Sequence, residues 1–191
     1  MRLFDRCTPR AYILLPLDAA GPVHRKQKRR PAGPTPVVIP TDLLLAAFRQ
    51  LFQAERMVII GGRPCRQSIK ATSVIDVTEA RPSISHVRAD RLKLSTALVD
   101  LSRSGAHLAI WMHSHPGIGP SATFPSAIDL RQEEDLRRHY SNRLVCLIAV
   151  RDGFVRVWGR AVDDGSVVVR WQGEGLTSHP GEPHVYQLEL H

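Results

Sequence analysis

Three side chains of this sequence could hold a metal ion and leave it reactive. His113 and His115 stand one residue apart at the end of the apolar run Leu108-Ala109-Ile110-Trp111-Met112. Residues i and i+2 of an extended chain face the same side, so the two imidazoles project together. Asp129 follows a proline-rich loop, three residues after Ser126, which reads as the start of a helix. Two imidazole nitrogens and one carboxylate oxygen leave the fourth position of a tetrahedral zinc open, as in hydrolytic rather than structural zinc sites. The plainer reading is two incidental histidines in a chain that has nine. It leaves the following Pro116-Gly117 and the helix-opening Ser126-x-x-Asp129 unexplained.

Hydrolysis at such a centre needs a proton acceptor nearby. Glu55 is one candidate, just ahead of Met57-Val58-Ile59-Ile60. That apolar run reads as a strand that could neighbour the histidine strand. An acid at such a junction could equally be a solvated residue with no role. Ser126 has a plain role too, as an N-cap worth ~1 kcal/mol, with Asp129 completing a capping-box pattern. Other groups weigh less. Glu133-Glu134-Asp135 and Arg137-Arg138 read as the solvated face of a helix. His107 shares a face with His113, but six residues at ~3.3 Å each place it about 20 Å away. His179, His184 and His191 lie in a Gly/Pro-rich tail and read as incidental.

These residues need elements to position them. Thr41-Asp42 offers a helix start, and Leu43, Leu44, Ala47 and Leu51 recur at helical spacing to about Ala54. Strands are expected at Met57–Ile60, stopped by Gly61-Gly62, and at Ser73–Val77. A helix is expected over 89–104, ending at Gly105, and then the histidine strand Leu108–Met112. A helix over 126–140 carries Asp129 in its first turn. Three strands follow, at 143–150, 154–159 and 167–171, with hairpin signals at Asp152-Gly153 and Asp163-Asp164-Gly165. The pattern predicts an α/β (α+β) sandwich on a largely antiparallel sheet.

Composition bounds the rest. The 191 residues are 43% hydrophobic and 23% charged, enough apolar material for a single folded core. Residues 1–36 read as a basic, Gly/Pro-rich extension, 37–172 as the domain and 173–191 as a tail. The net charge of +8 is concentrated in His24-Arg25-Lys26-Gln27-Lys28-Arg29-Arg30. No aromatic residue interleaves with that cluster, so it lacks a stacking platform for single-stranded nucleic acid. A solvated segment is the expectation, and nucleic acid is not the expected partner. Cys7, Cys65 and Cys146 form no CxxC, and the cysteine usage suits a reducing cytoplasm. Cys146 reads as a buried apolar filler. No run approaches the ~18 apolar residues of a membrane span, and no membrane partner is expected.

Taken together, these motifs resemble the JAMM (JAB, MPN-plus) zinc metalloproteases. Their signature joins a Glu at the start of a strand, an H-[ST]-H-P and an S-x2-D. His113-Ser114-His115-Pro116 and Ser126-x2-Asp129 match in full. Glu55-x2-Val58-x-Ile60-x-Gly62 matches in part, with Val58 in place of the family's first glycine and Ile60 in place of its leucine. The loop Pro116 to Pro125 is three residues longer than usual. The match spans roughly residues 40–172.

The resemblance implies a JAMM/cytidine-deaminase-like three-layer arrangement, with a mostly antiparallel mixed sheet flanked by helices. It implies one zinc per chain on His113, His115 and Asp129, with Glu55 as general acid/base and Ser126 stabilising the oxyanion. It implies an isopeptidase that cleaves after the C-terminus of a ubiquitin-like protein. The size resembles deconjugating enzymes of bacterial ubiquitin-like pathways in antiphage defence, with E1-like and E2-like partners. A DNA-repair-associated relative is disfavoured by Ser114 and the longer loop. A metal-free scaffold subunit is disfavoured by the intact ligand set. Gly117 and Gly119 are expected to border the substrate channel. The three extra loop residues are expected to select the partner and to be dispensable for zinc.

Overall fold

The computed structural model describes residues 33–53, 56–79 and 88–190. In chain order the elements are β1 (Thr35–Pro40), α1 (Thr41–Gln53), β2 (Met57–Cys65), β3 (Ser68–Asp76), α2 (Arg91–Arg103) and β4 (His107–Ser114). A 3-10 turn (Pro120–Thr123) precedes α3 (Ala127–His139), β5 (Val145–Ala149) and β6 (Phe154–Trp158). Then come the short α4 (Arg160–Asp163), β7 (Val167–Gln172), β8 (Leu176–Ser178) and β9 (Val185–Leu188). The nine strands among the described residues join one sheet in the order β7-β1-β3-β2-β4-β5-β6-β9-β8.

Connectivity forces that sheet to curl. Only residues 159–166 link β6 to β7, yet the two strands stand six places apart in the sheet. Six spacings of ~4.8 Å would separate them by about 29 Å across a flat sheet. The link includes the helical turn of α4, so it reaches only ~23 Å even with its other residues extended. The two halves must therefore bend towards each other. Residues of eight strands share one buried core with Leu44, Ala47, Phe48 and Leu51 of α1, from Val37 of β1 to Leu188 of β9. The opposite face carries a smaller core, where Met57, Ile59, Trp111, Cys146 and Ile148 meet Ala97 and Leu101 of α2.

This architecture corrects the expected three-layer, helix-flanked JAMM/cytidine-deaminase-like arrangement. The sheet is barrel-like and nearly closed, and among the described residues strand outweighs helix, 39% against 31%. Its pairing is mixed and mostly antiparallel, as expected: β1–β3, β1–β7 and β4–β5 run parallel and the other pairs antiparallel. The expectation failed because three strands were missed. β1 lay hidden between prolines, and β8 and β9 lie in the stretch read as a tail. Adding them turns a modest sheet into one long enough to wrap. The Asp163-Asp164-Gly165 turn is likewise no hairpin, since β7 pairs with β1 and not with β6. Asp152-Gly153 does turn the chain between antiparallel β5 and β6.

Gly61-Gly62, expected to end a strand, lies inside β2. Both glycines are close-packing positions. A methyl group at Gly61 would come within 2.3 Å of Leu101 Cδ2, and one at Gly62 within 2.5 Å of Ile69 Cγ2 and 2.7 Å of Ala109 Cβ. The pairing of β2 shifts register at these residues against both β3 and β4. Gly62→Ala should therefore destabilise the fold by ~1–3 kcal/mol, the usual cost of overpacking. Urea unfolding reads this directly, and an unchanged midpoint would show that the sheet has room to spare there.

Candidate metal centre

The histidine strand is buried along nearly its whole length. β4 lies between β2 and β5, with His113 opposite Met57 on one side and Ile148 on the other. Trp111, two residues earlier on the same face, stacks on the His113 ring with centroids 4.7 Å apart. Trp158 packs edge-on against Trp111 at 6.0 Å. His113 is thereby buried, only 4% exposed, while His115 at the strand end stays half-buried.

Asp129 arrives from α3, and the start of that helix fixes it. Ser126 is the N-cap and accepts from the Asp129 N–H at 3.3 Å. The Ser126 N–H donates back to Asp129 Oδ2 at 2.7 Å. This reciprocal pair satisfies two backbone groups that a helix start leaves open. It also aims the carboxylate at the histidines. Oδ1 lies 3.1 Å from His113 Nε2 and Oδ2 lies 3.1 Å from His115 Nε2. One donor atom from each of the three residues falls within 4.8 Å of the others. The three residues singled out in the sequence thus lie close enough to hold a metal ion.

Proton placement shows how well they fit one. His115 Nδ1 sits 3.1 Å from the Ala122 carbonyl oxygen. A carbonyl only accepts, so Nδ1 carries a proton, and the ring turns Nε2 to Asp129 Oδ2 at 3.1 Å. Two acceptors at that distance repel unless a proton or a cation lies between them. Both ring nitrogens of His113 are buried and lack a partner in hydrogen-bonding geometry, although Nε2 is near Asp129 Oδ1. The nitrogen is close to the carboxylate without being aimed at it. Burial pushes the His113 pKa down, and Asp129 offsets this only in part, so an imidazolium is disfavoured there. Burial acts to raise the Asp129 pKa, but the two imidazoles and Ser126 outweigh it and hold the carboxyl far below its usual range. An ionised carboxylate between two imidazoles is a set of groups that can hold a cation once the imidazoles turn lone pairs to it.

The loop from Pro116 to Pro125 is pinned. The Gly119 N–H donates to Asp152 Oδ2 at 2.7 Å. Arg156, buried on β6, donates from Nε to Thr123 Oγ1 at 3.0 Å, reaches the Pro120 carbonyl at 3.5 Å and pairs with Glu182. Its guanidinium also lies 3.9 Å over the Phe124 ring. The same turn presents the Ala122 carbonyl to His115. The loop therefore orients His115, one of the three residues that could hold a metal ion. Arg156→Gln should lower metal affinity by ~10–100-fold, the usual effect of removing an orienting partner. Competition against a chelator measures it. Unchanged affinity would mean that Ala122 holds its place without the clamp.

The remaining expected residues fall as follows. Gly117 and Gly119 lie in the pinned loop, both at positive φ, 104° and 77°. Ser126 is exposed beside the ligands. Glu55 lies outside the described residues, and Met57 just after it pairs with His113. His107 stands at the far end of β4. Glu133, expected on a solvated face, is buried instead, accepting from the Arg160 N–H at 3.2 Å and pairing with Arg137 at 3.2 Å. Sequence reasoning missed Arg156 and the Ala122 carbonyl altogether. Cys146 is buried as expected, and burial pushes its thiol pKa well up.

Neither family models nor curated proteins match the chain. Among solved structures it is similar to protein DSY2949 from Desulfitobacterium hafniense, at 20% identity and a TM-score of 0.47. The match covers 71% of this chain and 94% of that one. A likeness of that degree carries no functional assignment, so the function must be argued from the site. Among the described residues, no helix is long and apolar enough to cross a membrane.

Proposed function

We propose that this protein is a JAMM-type zinc isopeptidase that cleaves after the C-terminus of a ubiquitin-like protein. The observation that carries the reading is that ligand atoms of His113, His115 and Asp129 lie within 4.8 Å of one another, with His115 oriented through Nδ1 by the Ala122 carbonyl. Two nitrogens and one oxygen suit zinc, and a three-residue set leaves a position for water or substrate. When bound, zinc supplies a Lewis acid that polarises a carbonyl and makes water acidic near neutral pH.

The chain's own groups supply the rest. Ser126 Oγ accepts from the Asp129 N–H, which leaves its own O–H to donate to a carbonyl oxygen gaining charge. Glu55, by resemblance, takes the proton from the attacking water and returns it to the departing amine. The pinned loop and the start of α3 present exposed apolar residues, Ile118, Phe124 and Ile128, next in sequence to the ligands. Such a rim suits a protein substrate with an apolar tail, and Gly117 and Gly119 would border its channel. The JAMM resemblance further suggests a cytoplasmic place in a bacterial ubiquitin-like pathway of antiphage defence, with E1-like and E2-like partners.

The decisive experiment is cleavage of a ubiquitin-like protein fused through its C-terminus to a reporter. Turnover should need zinc, stop with chelator and return on adding zinc back. Zinc binding without cleavage of any such fusion would leave the metal site standing and overturn the isopeptidase reading.

A further inference from the structure

The opposite end of the sheet carries a groove of different chemistry. It has two adjoining parts, about 1170 Å³ and about 460 Å³, which share Ile69, His107 and Arg143. Arg66 and Arg170 line the larger part, and Arg137, Arg138 and His139 the smaller. Among the described residues, no aspartate or glutamate lines either part. Arg137 and Arg138 are paired within α3 to Glu133 and Glu134. Arg66, Arg143 and Arg170 are exposed and have no ion pair among the described residues. Three exposed guanidinium groups with no ion pair among the described residues make a surface with affinity for anions.

The dimensions and the lining select the anion. The groove runs across the strand ends from β7, where Arg170 sits, past β1, β3 and β4 to the residues before β5. Five strand spacings of ~4.8 Å make that path about 24 Å long, too long for a single small anion. A protein partner would want exposed apolar anchors at its centre. The large exposed hydrophobics include only one groove residue, Tyr140. Tyr140 stands beside His139 at the end of α3, with ring centroids 6.2 Å apart. Arginines that match phosphate bidentately, strung along a channel with an exposed aromatic face at one end, suit a strand of nucleotides.

We propose that this groove binds single-stranded nucleic acid, its phosphates on Arg66, Arg143 and Arg170 and a base against Tyr140. The site lies at the other end of β4 from the metal ligands, about 20 Å along the strand at ~3.3 Å per residue. It is independent of the proposed cleavage reaction.

The test is fluorescence titration of the full chain with an oligothymidylate of ~12 nucleotides, within the site sizes usual for such channels. The combined variant Arg66→Ala, Arg143→Ala, Arg170→Ala should weaken binding ~10-fold or more. It should also flatten the plot of log K against log salt by about 2, near 0.7 for each phosphate left without its arginine. Tyr140→Ala should weaken binding without changing that slope. A control variant, Arg91→Ala, Arg103→Ala, Arg131→Ala, removes equal charge elsewhere on the surface and should leave binding nearly intact. The proposal is overturned if the control weakens binding as much as the groove variant, or if the groove variant binds like wild type. It is also overturned if polyglutamate displaces the oligonucleotide at equal charge, which would assign the groove to an acidic protein. Tighter binding of duplex than of single strand would overturn the single-strand assignment. Unaltered thermal transitions in all variants exclude unfolding as the cause.

Discussion

Asp129→Asn should empty the metal centre while leaving the helix start largely intact. Purified wild type is expected to carry about one zinc per chain, and this variant almost none. Asparagine keeps an oxygen for the Ser126 N–H that now meets Oδ2, so the cap of α3 survives. It removes the negative charge that faces both imidazoles at 3.1 Å. Losing a mere orienting partner of a metal ligand costs ~10–100-fold in affinity, and losing a ligand's charge should cost more. His113→Ala should empty the site as well, from the other side. Elemental analysis of the two variants decides the matter: zinc at wild-type levels in both would remove these residues from the ligand set. Asp129→Ala separates the two roles, since it should also lower the thermal transition by the ~1 kcal/mol usual for a helix cap.

Glu55→Ala should reduce cleavage of a ubiquitin-like fusion by ~10²–10⁴-fold, the range usual for a general acid–base group. Zinc content and the unfolding midpoint should not change, because Glu55 is proposed to move protons and not to ligate. The support is its place in the sequence, two residues before Met57, which pairs with His113. Near wild-type turnover in the variant would send the role elsewhere. Glu79 would be the next candidate, an exposed residue whose N–H donates to the Arg88 carbonyl.

What the sequence made legible follows from range. His113 and His115 share a face because strand geometry repeats every two residues, and Ser126 and Asp129 meet because a helix start is a local event. Neither inference needed the rest of the molecule. The sheet was harder. Val37, Val38 and Ile39 carry a strand's β-branched residues, but so short a run between Pro36 and Pro40 is not legible as a strand. The paired glycines of β2 looked like a stop, because only their neighbours Leu101, Ile69 and Ala109 explain them. Those neighbours come from α2, β3 and β4. The support of His115 was invisible for the same reason. A backbone carbonyl, here that of Ala122, has no residue type to read. The arginine that steadies its loop is 33 positions from Thr123. The groove arginines are equally scattered along the chain, whereas the basic run before residue 31 drew attention because it is continuous.

The pairing of β1 with β7 has a consequence for how the chain is made. Val37 lies against Val169, so β1 gains one of its two neighbours only after about 130 further residues have been translated. At ~5–20 residues per second, the wait is roughly 10 s. Through that interval β1 has β3 on one side and an open edge on the other, the kind of edge that recruits strands from other molecules. Crowded polysomes would expose many such edges at once. The yield of this protein in cells should thus depend on the pace of synthesis and on chaperones that mask strand edges, more than on the stability of the finished fold.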